Sequence, residues 1–325
     1  MKKNILFIES TGLNKNSLSE IKKKFKTKIN IKTCFDNEDS IFKALTKFEI
    51  HAIIGCPRYL FTKKILTKAK KLEWVHNSGA GVEGFFFDEF VNSNILFTNG
   101  KIIQGPEVAD HAVALILSFT RNLNFIINNK KNYDGKKNAR PIELRNKKCL
   151  IFGLGGIGIC VAERLKSFGM KIHAVSNDLP PLLSFIDDFS TTDELVDLVS
   201  RFDVVVCAAP STKKTINFFN KNIFDKMKKN SIFINVSRGN LVKTNDLIEA
   251  VKKNTFRGVG LDVTDPEPLS VNHPLRKFDN VIITPHLAGL SDYNRSRSFD
   301  LILINLKRYI ESDVLFNIVD KVNEY

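Results

Sequence analysis

The chain has 325 residues, of which 43% are hydrophobic, and a formal net charge of +14 at pH 7. This length favours two domains, and the hydrophobic fraction is sufficient for packed cores. No run approaches the ~20 apolar residues that cross a bilayer, so we expect a cytoplasmic protein without a membrane segment. Five scattered cysteines without CxxC or Cys/His ligand spacing predict reduced thiols and no metal site.

The positive charge is concentrated in two lysine-rich segments, at residues 22–32 and 130–148. The aromatic residues of these segments are not interleaved in a stacking pattern, and the chain shows no helix-turn-helix or zinc-finger pattern. We therefore expect solvated basic faces and no nucleic-acid partner. An overall positive field still favours small anionic ligands.

Short apolar runs alternate with helix-like segments along the whole chain and predict strands. The runs lie at residues 4–9, 51–55, 73–77, 95–99, 149–153, 171–175, 203–209, 231–236, 258–263 and 280–285. Most are continuously apolar, which is typical of strands covered by helices on both faces. The pattern predicts an α/β fold built from doubly wound parallel sheets.

Two longer helices are predicted beside these strands. Residues 105–125 place Pro106 at a first helical position and are apolar over most of their surface, which favours a buried helix. His111 lies in this helix and is expected to be structural. Residues 291–310 predict an amphipathic helix opened by Ser291, which would return to the first domain.

A GxGxxG motif, formed by Gly153, Gly155 and Gly158, follows the strand at 149–153 and precedes a helical segment. The first glycine permits a tight turn, the second lets a diphosphate approach the backbone, and the third lets helix and strand pack closely. The free N–H groups of the helix start would then meet the phosphates. The motif in this context predicts a dinucleotide site.

At the position that selects between NAD and NADP, this chain has no acidic residue, although an acidic residue is usual there. Ser176 stands where an Asp or Glu would bond the ribose 2′-hydroxyl, and Asn177 and Asp178 follow it. A serine does not repel a 2′-phosphate, and Lys213 and Lys214 offer cations, so the sequence slightly favours NADP. If Asp178 turned inward, NAD would be favoured instead.

Three further strand ends carry side chains suited to reducing a keto acid. Arg238 offers a planar fork of donors for a carboxylate, and His286, in the stretch ITPHLAG, could pass a proton to a carbonyl oxygen. Glu267 could orient the imidazole and favour its charged form. Taken singly, Arg238 could equally be a surface arginine, and Glu267 is more often a solvated loop acid.

The ordered motifs GLGGIG, INVSRG, LDVTDPEP and TPHLAG resemble those of the D-isomer-specific 2-hydroxyacid dehydrogenases. The GAGVE loop at residues 79–83 and Ser176 resemble the glyoxylate/hydroxypyruvate reductase branch of that family. The match covers nearly the whole chain. The resemblance implies a Rossmann cofactor domain at residues 99–289, inserted into a flavodoxin-like substrate domain made of residues 1–98 and 290–325. It also implies a homodimer.

The resemblance also implies roles for individual residues. The catalytic trio would be Arg238, Glu267 and His286, with His286 as the proton donor, and the substrate would contact Ala80, Gly81 and Arg238. The cofactor would contact Gly153, Gly155, Gly156, Ile157, Gly158, Ser176, Ala209, Pro210, Val236, Ser237, Arg238, Asp262, His286 and Gly289.

The expected activity is NAD(P)H-dependent reduction of a small 2-keto acid, such as hydroxypyruvate or glyoxylate, to a D-2-hydroxy acid. A D-3-phosphoglycerate dehydrogenase is the alternative within the family, with Arg58 as a candidate phosphate ligand. A dinucleotide-sensing transcriptional regulator is the alternative from another class, supported only by the basic surface.

Overall fold

The computed structural model describes residues 2–128, 140–177 and 183–325. In chain order the strands are β1 Lys3–Ile8, β2 Ile29–Cys34, β3 Ala52–Ile54, β4 Trp74–Asn77, β5 Leu96–Asn99, β6 Lys148–Phe152, β7 Lys171–Val175, β8 Asp188–Ser190, β9 Val204–Cys207, β10 Ser231–Asn235, β11 Phe256–Leu261 and β12 Val281–Ile283. The α-helices are α1 Lys15–Phe25, α2 Glu38–Lys47, α3 Lys63–Lys68, α4 Asp88–Val91, α5 Gly105–Thr120, α6 Leu123–Asn128, α7 Gly156–Ser167, α8 Leu195–Leu198, α9 Lys221–Lys226, α10 Thr244–Lys252 and α11 Asn294–Glu311.

The chain divides into two structural units, the first formed by Met1–Ile103 with Ser291–Tyr325 and the second by Gln104–Leu290. In the first unit the parallel strands run in the order β2-β1-β3-β4-β5, which is the flavodoxin-like order. Helix α11 packs its buried Ile302 and Leu306 into a core with Ile5 and Trp74 of this sheet. The unit is therefore completed by the last segment of the chain.

The second unit contains a seven-stranded parallel sheet in the order β12-β11-β10-β9-β6-β7-β8. Counted from β6, the first six strands follow the order of the dinucleotide-binding fold, and β12 extends the edge. Two cores lie on the opposite faces of this sheet, one of them built on helix α5 through residues such as Ala109, Ile116 and Phe119. The predicted fold class is confirmed.

Strands β2 and β8 were not predicted, and both lie at the edge of a sheet. Strand β2 reads INIKTC, with only Ile29 fully buried, so it lacks the apolar run that marks the central strands. The predicted helix at 105–125 is also divided, because Asn122 takes a left-handed backbone with φ of 59° between α5 and α6. Helix α11 begins three residues after Ser291, whose hydroxyl accepts a hydrogen bond from the Asn294 N–H at 3.0 Å.

Within the part of the chain that the structure describes, no helix is both long and apolar enough to cross a membrane. Over the same residues, no group of three or more His, Cys, Asp and Glu side chains is arranged to hold a metal ion.

Candidate active site

The glycine motif forms the turn between β6 and α7. Gly153 has φ of +97°, and a Cβ at this position would lie 2.5 Å from the Ala209 α-carbon, so only glycine fits. Its N–H donates to the Val175 carbonyl at 2.8 Å, which closes the turn against β7. The turn therefore lies between β6, β7 and β9, where the strand order of the sheet reverses.

The other two glycines of the motif have opposite surroundings. A Cβ on Gly158 would lie 2.0 Å from the Gly153 carbonyl oxygen, whereas a Cβ on Gly155 would meet no atom within 4 Å. Gly155 is the N-cap of α7 and supplies no capping side chain, so no cap side chain occupies the N–H groups of the first turn, which includes Gly156 and Ile157. An uncapped helix start beside open space fits a diphosphate.

Ser176 follows β7, and its N–H donates to the Ser190 carbonyl of the edge strand β8 at 3.1 Å. The Asn177 side-chain oxygen accepts a hydrogen bond from the Thr192 hydroxyl at 2.7 Å. Asp178 lies outside the described residues. On the other side of the turn, after β9, Ala209 is buried and Pro210 is exposed.

The end of β10 is organised by the side chain of Asn235. Its Nδ2 donates to the Arg238 carbonyl at 2.9 Å, and its Oδ1 accepts from the Ser237 N–H at 3.1 Å. Val236 and Ser237 are buried, while Arg238 is half-buried and donates from Nη1 to the Ser237 carbonyl at 2.7 Å. The guanidinium is thus held at the carboxyl end of a central strand.

Ser237 also contacts Cys207 at the end of β9, with 3.3 Å between Oγ and Sγ. Burial raises the pKa of the Cys207 thiol to about 12, although the Ser237 hydroxyl and the Ala209 N–H oppose the shift. This cysteine is therefore a protonated packing residue at neutral pH rather than a nucleophile.

The loops that carry Arg238 and Glu267 pack directly against each other. A Cβ on Gly239 would lie 2.0 Å from the Thr264 carbonyl oxygen, so glycine is needed for this approach. The Thr264 N–H in turn donates to Glu267 Oε2 at 3.3 Å. The arginine and the glutamate thereby come from adjacent loops at one edge of the sheet.

Glu267 and His286 are in direct contact, with 2.6 Å between Glu267 Oε1 and His286 Nδ1. Both side chains keep partial access to solvent, at 39% and 47% of their surface. They line a cleft of about 470 Å³ together with Asp262, Arg276 and Thr284. An imidazole held by a carboxylate at Nδ1 and open to a cleft can transfer a proton from its other nitrogen.

His286 has an unusual backbone conformation, with φ of 51° in the left-handed region. This region is costly for a residue with a side chain and persists only where its surroundings impose it. The His286 N–H donates to the Asp262 carbonyl at 2.9 Å, which fixes the backbone at this point.

The buried carboxylate of Asp262 holds the rest of this loop. Its Oδ1 accepts from the Thr284 hydroxyl at 2.7 Å and from the Leu287 N–H at 3.0 Å, and its Oδ2 accepts from the Ala288 N–H at 3.0 Å. Thr284 also contacts His111 of α5, with 2.9 Å between the hydroxyl oxygen and Nε2. The sequence predicted Asp262 as a cofactor contact, and nothing in its pattern linked His111 to this loop.

The remaining predicted contacts of cofactor and substrate are Gly289, Ala80 and Gly81. Gly289 ends the same loop, and its carbonyl accepts from Gln104 Nε2 at 3.3 Å. Ala80 and Gly81 lie in the first unit, in the loop after β4. Their carbonyls accept hydrogen bonds from Asn99 Nδ2 at 2.6 Å and from Asn77 Nδ2 at 2.7 Å, so two asparagines fix this loop.

Comparison with known proteins shows to which family this chain belongs. Residues 113–288 match the family model of the D-isomer specific 2-hydroxyacid dehydrogenase, NAD binding domain. The chain belongs to the D-isomer-specific 2-hydroxyacid dehydrogenase family. It is therefore an oxidoreductase of that family, with a Rossmann domain for a nicotinamide dinucleotide.

Individual members of the family differ in name and length. A glyoxylate reductase from Thermofilum pendens is 31% identical, over 79% of this chain and 78% of the relative. A D-3-phosphoglycerate dehydrogenase from Methanocaldococcus jannaschii is 29% identical over 81% of this chain, which spans only 50% of that relative. A family member of known structure from Aeromonas salmonicida is 25% identical, with a TM-score of 0.80 over 99% of this chain and 100% of the other.

Proposed function

We propose that this dehydrogenase reduces a small 2-keto acid, of the hydroxypyruvate or glyoxylate kind, to the D-2-hydroxy acid. The contact of 2.6 Å between Glu267 and His286, which line one cleft, carries the proposal. The similarity to a glyoxylate reductase supports this choice of substrate class, because it covers 79% of this chain and 78% of the relative.

In this proposal His286 is the proton donor. The Nδ1 proton is shared with the Glu267 carboxylate, so the proton on Nε2 is the one available to the keto oxygen of the substrate. The carboxylate fixes the orientation of the ring and stabilises its charged form before transfer. After transfer, the imidazole is neutral and the substrate carries a hydroxyl group.

Arg238 is proposed to bind the substrate carboxylate and polarise the neighbouring C=O group. A guanidinium presents its donors in one plane, so it can bind a carboxylate through two parallel hydrogen bonds. Its position at the end of β10, one loop away from Glu267, supports this role.

The first unit is proposed as the substrate domain, with boundaries at residues 1–98 and 290–325. The backbone N–H groups of Ala80 and Gly81 would bind the substrate carboxylate. The asparagine side chains of Asn77 and Asn99 support this role because they hold the carbonyls of the same two residues.

The cofactor is proposed to bind along the carboxyl ends of the second sheet, with its diphosphate at Gly155, Gly156 and Ile157. Bound reduced nicotinamide supplies the hydride that reaches the keto carbon. We favour NADP over NAD because Ser176 is neutral and does not repel a 2′-phosphate. Its backbone N–H already bonds Ser190, so the hydroxyl is the part of Ser176 that would meet the ribose.

A phosphorylated substrate is the second candidate, supported by the relatedness to a D-3-phosphoglycerate dehydrogenase. The side chain of Arg58 passes beside Gly84, where a Cβ would lie 3.7 Å from the arginine Cδ. Arg58 therefore lies beside Gly84, three residues after Gly81, where it could bind a phosphate group. Comparing 3-phosphoglycerate with D-glycerate as substrates in the oxidative direction separates the two candidates.

The direct test is a kinetic panel of both reduced cofactors against hydroxypyruvate, glyoxylate, pyruvate and 3-phosphohydroxypyruvate. We expect oxidation of the cofactor with one of the first two acids, faster with NADPH than with NADH. If none of these acids causes oxidation of NADPH or NADH, the proposal is rejected. Activity confined to 3-phosphohydroxypyruvate would establish the second candidate instead.

A further inference from the structure

We infer that His111, on helix α5, is a positioning residue for the catalytic loop that carries His286. This inference rests on the proposed role of His286 as proton donor. The loop in question, Thr284–Gly289, is called here the histidine loop. The Asp262 side chain accepts hydrogen bonds from this loop, and Asp262 is only 3% exposed.

The direction of the hydrogen bonds at Thr284 follows from counting protons. A threonine hydroxyl has one proton to donate. That proton goes to Asp262 Oδ1 at 2.7 Å, because a carboxylate can only accept. The contact of 2.9 Å with His111 Nε2 must therefore use a threonine lone pair, and His111 must donate from Nε2.

This assignment fixes the tautomer of His111, since its Nε2 carries a proton whether the ring is neutral or charged. The same nitrogen lies 3.6 Å from Asp262 Oδ1, and the His111 side chain is only 17% exposed. The ring therefore supplies a directed N–H donor to a buried carboxylate–hydroxyl pair. Buried carboxylates are stable only when such donors surround them.

The same carboxylate determines the backbone of the histidine loop. Its oxygens accept from the N–H groups of Leu287 and Ala288, which directly follow His286. His286 itself is kept at φ of 51° by its bond to the Asp262 carbonyl. The chain of contacts thus runs from His111 through Thr284 and Asp262 to the residues on both sides of the proton donor.

Loss of the His111 donor would leave the half-buried Thr284 oxygen without this hydrogen-bond partner. The hydroxyl would then be free to turn away from Asp262, and the Leu287 and Ala288 N–H groups would lose part of their anchor. A shift of the imidazole of about 1 Å lowers turnover far more than it affects cofactor binding. His111 would therefore act on kcat through geometry, without touching the substrate.

Two variants at this position separate donor chemistry from packing. His111→Gln places an amide N–H close to the position of Nε2, whereas His111→Phe keeps the ring shape and removes the donor. In His111→Phe we expect amide hydrogen exchange at Leu287 and Ala288 to accelerate about tenfold, and kcat to fall about tenfold, with the dinucleotide Kd within about twofold. His111→Gln should restore most of the exchange protection and of the turnover.

Thr284→Val provides an independent route, because it removes the hydroxyl without touching α5. We expect it to reproduce the effects of His111→Phe, and the double variant to be no worse than either single one. Additive losses, unchanged exchange in folded His111→Phe, or a Gln variant as impaired as Phe would overturn the inference. Exchange is read without substrate, so it decides the role of His111 even if the wild-type protein reduces none of the keto acids. That last result would reject the proposed function alone.

Discussion

The two glycines at the start of α7 predict a separation between stability and cofactor binding. Gly158→Ala would place a methyl group 2.0 Å from the Gly153 carbonyl oxygen, well inside normal contact. Because the neighbour is backbone rather than a flexible side chain, the helix or the turn must shift. Overpacking of this kind costs about 3 kcal/mol, which corresponds to roughly 6 to 12 °C in the unfolding midpoint.

Gly155→Ala is the matched change on the same turn. The added methyl group meets no protein atom within 4 Å, and the backbone at φ of −89° accepts an alanine. We expect its unfolding midpoint to stay within about 3 °C of the wild type, since the entropic gain and the weaker N-cap partly cancel. The methyl group occupies the space assigned to the diphosphate, so dinucleotide affinity should fall at least about tenfold.

Differential scanning calorimetry and isothermal titration with NADPH and NADH measure the two effects separately. We expect opposite patterns, with stability lost mainly in Gly158→Ala and dinucleotide affinity lost mainly in Gly155→Ala, whose stability stays unchanged. Wild-type affinity in Gly155→Ala would show that the open space beside this residue is not the diphosphate site.

Three further predictions concern charge and proton transfer. Glu267→Gln should lower kcat about tenfold, because the shape of the contact stays while its charge is lost, and partial solvent exposure limits the effect; unchanged steady-state kinetics would contradict this. Arg238→Ala should raise KM for the keto acid and lower kcat together, each about tenfold, whereas a change in KM alone would restrict the arginine to ground-state binding. Burial lowers the pKa of His76 from its ordinary value of 6.5 to about 4, so the unfolded chain binds this proton more readily. The stability supplied by neutral His76 is complete above pH 6.5 and is lost as the pH falls towards 4, by roughly 3 kcal/mol. Acid unfolding of His76→Gln should show a flatter dependence in this range, and an equally steep one would refute the assignment.

The sequence predicted the central strands of both sheets because their apolar runs are continuous, as in strands buried on two faces. It missed the edge strands β2 and β8 because polar residues, such as Lys32 and Asp188, leave them without an apolar run, whereas the edge strands β5 and β12 keep such a run and were predicted. It also extended the first long helix past Asn122, since a single left-handed residue leaves the apolar periodicity intact.

For the candidate site, the sequence marked residues at strand ends but not all of their contacts. Glu267 and His286 were expected to meet, and the structure places them 2.6 Å apart. The contact of His111 with Thr284 could not be read from either segment, because it depends on where α5 crosses the sheet. Helix periodicity predicts which residues form the apolar face of α5, but it does not predict the hydrogen-bond partner of a polar residue at the border of that face.

The turnover of His286→Ala shows whether His286 donates the proton during keto-acid reduction. We expect kcat for the preferred keto acid to fall at least about a hundredfold, because general acid catalysis contributes on that scale. The dinucleotide Kd should remain within about twofold. A variant that keeps wild-type turnover would remove His286 from the chemistry and contradict this account.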